Sequence, residues 1–343
     1  MLLLMWLPWS ASAQLAPKRP KTPPPPPPVS EPVQRGLDFL KTKQLPSGAW
    51  GTIFPCAMTG LAMKTLLNSA LPDEAVAKAA ATLIAVGMAD PKGIIAVRGD
   101  AEPPFIYENA IALEALARFY IAGGNAPDLE AVLTKTTNHI LKCQTKAGGW
   151  SYGEVPGYKL ETRGDLSATW WHYHALKSVE MAGINLPGIA PALKRVDKFF
   201  ADHVQKDGGI GLPKLNRGDA YAAFTITGPA LSVLGLTRPR DRVTLQATKF
   251  VLGEITIEPP DWDKNANLYH WYATTLGLKS ANPQAYKTWS ALVTPQLIKH
   301  QGADGAWPTE TIKYPLASTE VARDDASIYR LCLCLLTLES LGK

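Results

Sequence analysis

The chain has 343 residues, and the part expected to fold, from about Glu31 onward, is longer than one ordinary hydrophobic core usually supports. Hydrophobic residues make up 46% and charged residues 19%, as in soluble globular proteins. The net charge is only +5, and no basic stripe is interleaved with aromatic residues, so we predict no nucleic-acid partner.

Residues 1–13 form a short apolar run that ends in Ser10-Ala11-Ser12-Ala13. Small residues at Ala11 and Ala13 suit cleavage by signal peptidase, whereas a helix that crosses a bilayer needs ~20 apolar residues. We therefore predict a signal peptide at 1–13, no transmembrane span and an exported protein, which would be periplasmic, in the cell envelope or secreted.

Residues 14–32 form a linker that contains an unbroken run of proline from Pro23 to Pro28. Such a run adopts a stiff, solvated polyproline II conformation. We interpret it as a spacer, and a ligand for a proline-binding domain is the alternative.

Residues 33–343 show the apolar periodicity of amphipathic helices, and alternating β-branched runs are absent. We predict six helix pairs, each an outer helix followed by an inner helix. The predicted outer helices are Val33–Lys43, Asp73–Met88, Pro127–Cys143, Pro187–Val204, Pro239–Gly253 and Gln284–Lys299. The predicted inner helices are Cys56–Ser69, Tyr107–Ala122, Asp165–Gly183, Asp219–Leu236, Leu268–Ser280 and Asp325–Leu341.

A phrase of Gln, Gly and Trp follows three outer helices. The complete copies are residues 44–50, 144–150 and 301–307; the copy at 205–210 lacks Trp, and further turns are predicted near positions 93 and 253. Their spacing of 48 to 61 residues indicates a repeat protein. Gly gives the turn a positive φ, Trp covers the hairpin end, and the Gln amide satisfies main-chain groups at helix ends. Because a linear stack would expose two apolar ends, we predict a closed ring.

The Gln-x-x-x-Gly-x-Trp repeats between paired helices resemble the QW motifs of squalene–hopene cyclases and of the wider terpenoid cyclase and protein prenyltransferase superfamily. Residues 164–171 and 267–274 are similar to segments of bacterial prenyltransferase/squalene-oxidase-repeat proteins, which are exported, proline-linked and mostly without an assigned activity. The resemblance implies an all-α fold over residues 33–343, an α/α toroid of about six helical hairpins closed into a ring.

The chain departs from the chemistry of that superfamily. The cyclases protonate an alkene with the middle Asp of a DxDD motif, and the nearest approaches here are Asp261-Trp262-Asp263 and Asp324-Asp325. The Asp-x-Cys motif of the zinc-binding prenyltransferases and the Cys-Gly-Glu-Gln segment of the thioester toroids are also missing. We therefore predict no metal and no cofactor, and we leave open whether the protein is an enzyme.

Polar and aromatic residues cluster at the starts of the inner helices, which the resemblance places at one end of the ring. The predicted ligand-binding residues are Tyr107, Glu108, Asp165, Trp171, His172, Asp219, Tyr269, His270 and Trp271. The candidates for catalysis are Asp165, His172 and Asp325. Each type has a structural alternative: the Asp residues cap helices, the histidines are satisfied side chains that lack metal spacing, and the aromatic rings pack in the core.

The leading hypothesis is an exported binding or scaffold protein that holds an apolar or sugar ligand in the ring, with unknown protein partners. One alternative is an isoprenoid cyclase-type enzyme with an atypical acid such as Asp165 or Asp325. Another is a polysaccharide lyase or glycoside hydrolase on the same type of barrel. A closed apolar cavity favours the first alternative, an open polar groove favours the second, and a filled ring favours the scaffold.

Overall fold

The computed structural model describes residues 28–97, 105–151, 164–211, 219–311 and 325–342, and the side chains of Phe105 and residues 219–225 fall outside that description. The predicted signal peptide and most of the linker also lie outside the described residues. Within them, no helix is long and apolar enough to cross a membrane.

The described residues form twelve helices and no β-strand. The helices are α1 (Glu31–Thr42), α2 (Pro55–Ser69), α3 (Glu74–Ala89), α4 (Phe105–Ile121), α5 (Leu129–Cys143), α6 (Leu166–Met181), α7 (Ile189–Asp202), α8 (Asp219–Thr237), α9 (Arg242–Ile257), α10 (Leu268–Ala281), α11 (Pro283–His300) and α12 (Ala326–Ser340). Each corresponds to a predicted helix, with ends displaced by a few residues.

The even-numbered helices form an inner ring, and contact between α12 and α2 closes it. The odd-numbered helices form an outer layer, in which each packs mainly on the inner helix that precedes it in the chain. Helix α1 has no preceding inner helix and packs on α12. The predicted all-α toroid is therefore confirmed, although the closest pairs are an inner helix and the outer helix that follows it, not the reverse.

The inner helices run in the same direction around the ring. Lys64 of α2 pairs with Glu114 of α4, and one turn later Asn68 pairs with Arg118. The same register recurs between α8 and α10, where Gly228 adjoins Thr274 and Gly235 adjoins Ala281. The inner-helix N-termini therefore lie at one end of the ring, as the resemblance implied, and the C-termini lie at the other.

The tryptophan of each complete phrase is buried in the same way, between the end of an outer helix and the start of the following inner helix. Each indole is buried, and its N–H donates at 2.8 Å to the main-chain carbonyl ten residues earlier: Trp50 to Leu40, Trp150 to Ile140 and Trp307 to Leu297. The main-chain N–H of Trp50 also donates to the hydroxyl of Thr59 in α2 at 2.9 Å. The indole thus joins the end of an outer helix to the start of an inner helix.

The glutamine of each complete phrase links its turn to the next outer helix in the ring. The side-chain amide donates to a main-chain carbonyl near the start of that helix: Gln44 to Ala75, Gln144 to Ala192 and Gln301 to Pro32. The turn glycines at 48, 148 and 305 have φ of +87°, +101° and +91°. A Cβ on any of them would lie 2.4–2.8 Å from a carbonyl oxygen of the same helix, so the turn requires Gly.

The predicted turn near Gly253 is not formed, because Gly253 lies inside α9. Asp241 starts that helix by accepting a hydrogen bond from the N–H of Val243 (3.0 Å), and the helix continues to Ile257. The turn lies instead at residues 259–265, where Trp262 is buried and stacks on His300, with ring centroids 5.4 Å apart. The fifth repeat therefore keeps an aromatic cover without the Gln–Gly phrase.

Candidate functional site

A buried ion pair lies at mid-height in the ring. The Nζ atom of Lys64 is 2.9 Å from the carboxylate of Glu114, and both side chains are almost inaccessible to solvent. Burial opposes ionisation of Glu114, but the positive charges of Lys64 and Arg118 lower its pKa to about 2. Glu114 therefore stays ionised across the physiological range of pH.

Aromatic rings from two further helices enclose the same ammonium group. The Nζ atom of Lys64 lies 5.5 Å from the ring centroid of Trp171 in α6 and 5.3 Å from that of Tyr272 in α10, which are cation–π distances. Helices α2, α6 and α10 are alternate members of the inner ring. Side chains from three sides of the ring therefore meet at one point, and the axis is filled at this height.

A hydrogen-bonded network continues from the ion pair to the C-terminal end of the inner ring. Arg118 donates through Nε to Glu114 (2.9 Å) and through Nη1 to Asn68 (3.3 Å), and Asn68 donates to Glu339 (3.1 Å). The other oxygen of Glu339 accepts from Ser69. Burial raises the pKa of Glu339 to about 7, although both donors act to lower it. Between the ion pair and the C-terminal end of the ring, polar side chains thus lie along the axis and form hydrogen bonds with one another.

At the N-terminal end of the ring, a chain of three polar side chains joins α4 to α6. The hydroxyl of Tyr107 is 2.7 Å from that of Ser167, which donates to Oδ1 of Asp165 at 2.7 Å. All three residues are half-buried. Trp171 lies four residues after Ser167, hence one turn below it on the same helix face, and its ring centroid is 6.1 Å from that of Tyr269.

Three of the four candidate carboxylates accept hydrogen bonds from main-chain N–H groups at or near helix N-termini. Asp165 caps α6 by accepting from the main-chain N–H of Ala168 at 2.7 Å. Asp325 accepts from the main-chain N–H groups of residues 52, 53 and 54, at 2.7, 3.1 and 3.0 Å, just before α2. Glu108 accepts from the N–H groups of Cys56 and Ala57 at the start of α2. Burial raises the pKa of Glu108 to about 7, and the nearby charge of Asp325 acts in the same direction.

His172, His270 and Trp271 face the outer layer. His172 stacks on Trp150 with ring centroids 5.0 Å apart, and burial lowers its pKa to about 4. His270 is buried edge-on to Trp289 of α11, and Trp271 packs against Trp262. These three side chains therefore belong to the packing between layers. In contrast, Tyr107 is linked to Asp165 through Ser167, and Trp171 lies near Tyr269 and the axial Lys64.

The side chain of Asp219 lies outside the described residues. Within the described parts of the chain, no three His, Cys, Asp or Glu side chains are grouped so that they could hold a metal ion.

The axial residues Lys64, Glu114, Arg118 and Glu339 were not among the site residues predicted from the sequence. One pattern could have indicated them. Lys64 is the only charged residue of α2, and Glu114 occupies the same position, the tenth, in the next inner helix. Opposite charges at the same position of two neighbouring inner helices predict an ion pair between those helices.

No protein-family model and no curated protein matches this chain. Solved structures do. The α-1,6-mannanase GH76A from Salegentibacter sp. HEL1_6 superimposes with a TM-score of 0.62 at 11% identity, covering 90% of this chain and 99% of the mannanase chain. A variant of the type II terpene cyclase MstE from Scytonema, in complex with merosterolic acid A, gives 0.56 at 14% identity, covering 90% and 95%. A wild-type glycosidase gives 0.53 at 12%, covering 91% and 96%. The likeness is one of fold.

Proposed function

We propose that the protein is an exported ligand-binding or scaffold protein built on an α/α toroid, with its ligand at the end of the ring where the inner helices begin. The observation that carries this proposal is the position of Lys64 between Glu114, Trp171 and Tyr272. The ring is filled at mid-height, and we place the ligand at its N-terminal end, where Tyr107, Asp165 and Ser167 are half-buried.

The first alternative, an isoprenoid cyclase-type enzyme, requires a cavity deep enough for a folded hydrocarbon chain and an acid that faces it. The filled axis opposes the first requirement. Both oxygens of Asp325 accept main-chain hydrogen bonds, and Asp165 caps α6, which opposes the second. The similarity to a terpene cyclase supports the fold without supporting the reaction.

The second alternative, a glycan-cleaving enzyme, requires two carboxyl groups that face the substrate from roughly 5 to 10 Å apart. Glu108 and Asp325 are near enough for the charge of one to affect the pKa of the other. However, both are directed at the main-chain N–H groups around the start of α2. The mannanase and glycosidase similarities therefore supply the shape of the barrel and not a pair of catalytic acids.

The test combines ligand discovery with a search for turnover. The full chain would be expressed and fractionated, its N-terminus determined, and bound small molecules extracted for mass spectrometry. The protein would then be incubated separately with squalene, geranylgeranyl diphosphate and α-1,6-linked mannan oligosaccharides. We expect export with cleavage before Gln14, no product from any substrate, and a rise in melting temperature with one ligand class. Product formation would overturn the proposal and revive the corresponding enzyme.

A further inference from the structure

We infer that the opposite end of the ring, where the inner helices end, carries a separate site that binds a monocarboxylate with an apolar tail. The guanidinium of Arg118 holds the carboxylate, and a groove between α6 and α8 holds the tail. This site uses other residues than the ligand site proposed above, so either can fail without the other.

Solvent enters the ring from its C-terminal end. Arg118 is hydrogen-bonded to the fully buried Glu114, yet 34% of its own side chain is exposed. His174 lies two turns before Met181, the last residue of α6, which is roughly 10 Å along the helix, and it is still only half-buried. The loops that follow the inner helices at this end all lie within the described residues: 70–73, 122–128, 182–188, 238–241 and 282.

Arg118 keeps donors that an anion can use. Its Nε and Nη1 atoms donate to Glu114 (2.9 Å) and to Asn68 (3.3 Å). Its Nη2 atom makes no hydrogen bond to any group that the structure describes. A guanidinium is suited to bind a carboxylate, because its N–H groups match the two carboxylate oxygens in spacing and direction. The unused part of Arg118 therefore offers a place for the head of the ligand.

The charges around this guanidinium favour a monoanion. Lys64 and Arg118 share the single negative charge of Glu114, which leaves one positive charge in excess. His174 adds no charge at neutral pH, because burial lowers its pKa to about 3. Burial raises the pKa of Glu339 to about 7, so its carboxyl group is mostly neutral below that pH. The partial negative charge at the ends of the inner helices opposes a dianion such as phosphate more than a carboxylate.

An apolar groove lies between α6 and α8 at the same end of the ring. The Nε2 atom of His174 is 3.4 Å from Oγ of Ser232, so these faces of the two helices oppose each other. Met181 lies two turns after His174, and Leu236 lies one turn after Ser232, on the same two faces. Both side chains are well exposed, at 63% and 59%. Two large apolar side chains on facing helices suit the tail of a ligand whose head lies deeper in the ring.

The test compares probes that share one tail and differ in the head. Octanoate, octan-1-ol and octylammonium are titrated at pH 6 into the full chain, labelled with carbon-13 at its methionine methyl groups. Met181 reports on the groove by NMR, and the exposed Met88, near the end of α3, reports on the other end of the ring. We expect octanoate to shift the Met181 signal in a saturable way and to leave Met88 unchanged. The alcohol and the ammonium should bind at least about tenfold more weakly.

Substitutions then test the head and the tail of the site separately. Arg118→Lys keeps the positive charge and removes the planar fork, and we expect octanoate to bind about tenfold more weakly. Leu236→Gln removes an apolar side chain from the groove at an exposed position, and we expect a loss of about threefold to tenfold. Ile257→Gln is the matched control, because Ile257 is 79% exposed at the end of α9, at the other end of the ring. Its affinity should equal that of the wild type.

Several results would overturn the inference. Equal binding of octan-1-ol or octylammonium would remove the carboxylate assignment, and an equal shift of Met88 would show that octanoate binds without preference for this end. No shift of Met181 at millimolar octanoate, or unchanged affinity in Leu236→Gln, would remove the groove. None of these results affects the ligand site at the N-terminal end, which ligand extraction and the turnover assays test independently.

Discussion

The side-chain amide of Gln301 donates to the main-chain carbonyl of Pro32, 2.8 Å away, and this bond joins the last repeat to the first. Arg35 of α1 donates to the amide oxygen of the same Gln301 at 3.1 Å. We expect Gln301→Leu to lower the free energy of unfolding by about 1–3 kcal/mol, because it removes partly buried hydrogen bonds that cross the closure. Urea denaturation measures this loss. Gln34→Leu, at an exposed position of α1, should change it by less than about 0.5 kcal/mol.

Two glycines separate the cost of a positive φ from the cost of a clash. Gly148 has φ +101°, and a Cβ there would lie 2.7 Å from the carbonyl oxygen of Arg195. Gly183 has φ +76°, and a Cβ there would meet nothing within 4 Å. We expect Gly183→Ala to cost about 1–2 kcal/mol from conformation alone, and Gly148→Ala to cost clearly more. Thermal and urea unfolding of both variants would check this order, and equal losses would refute the inter-repeat contact.

Replacing only one partner of the axial ion pair should lower the free energy of unfolding substantially. Lys64→Met leaves Glu114 charged in a buried site, and we expect a loss of about 3–5 kcal/mol in the free energy of unfolding. Adding Glu114→Leu should restore part of that loss, because it removes a buried carboxylate that would otherwise have lost one of its two positively charged partners, Lys64 and Arg118. Lys78→Met breaks an exposed ion pair with Glu74 and should cost less than about 1 kcal/mol. A double variant less stable than Lys64→Met would argue against the assignment.

The carboxyl group of Glu339 should make stability depend on pH. Burial raises its pKa from 4.5 to about 7, although Ser69, Asn68 and the charge of Arg118 oppose this. Between these values the folded chain holds the proton and the unfolded chain does not. The contribution of this group is therefore fully present below pH 4.5 and is lost as the pH rises through about 7.

Glu339→Gln isolates that contribution, since other titrating groups cancel in a comparison with the wild type. The difference in the free energy of unfolding, wild type minus variant, should fall as the pH rises from 4.5 to 7. Urea denaturation at several pH values in this window gives the slope. Glu180→Gln, whose carboxylate pairs with Lys177 on the surface, should give a flat difference. A flat line for Glu339→Gln as well would contradict the raised pKa.

The architecture could be predicted because its determinants are local. The phrase of Gln, Gly and Trp carries its own turn conformation and its own hydrogen bonds, so copies at 44, 144 and 301 form the same structure. The apolar periodicity located all twelve described helices. The caps formed by Asp73, Asp165 and Asn267 are equally local, since each accepts from a main-chain N–H three residues later.

The site was only partly predictable, because the direction of a side chain around an inner helix depends on how the ring closes. Trp171 and His172 are neighbours in sequence and lie about 100° apart around α6. Trp171 therefore reaches Lys64 at the axis, while His172 is turned away from the axis and stacks on Trp150. The pairing of Lys64 with Glu114 joins residues 50 positions apart, and nothing local to either residue specifies it.

The contact of α1 with α12, together with the bond from Gln301 to Pro32, makes the boundary between the two chain ends physically equivalent to the boundaries between other repeats. The packing of the repeats therefore does not determine at which boundary the chain must begin and end. Consider a circular permutant in which residue 342 is joined to residue 28 and new chain ends lie between α2 and α3. We expect it to retain the hydrogen bonds from the side-chain amides of Gln44, Gln144 and Gln301 to the neighbouring outer helices. It would also free the proline-rich segment to be placed at another point on the circumference.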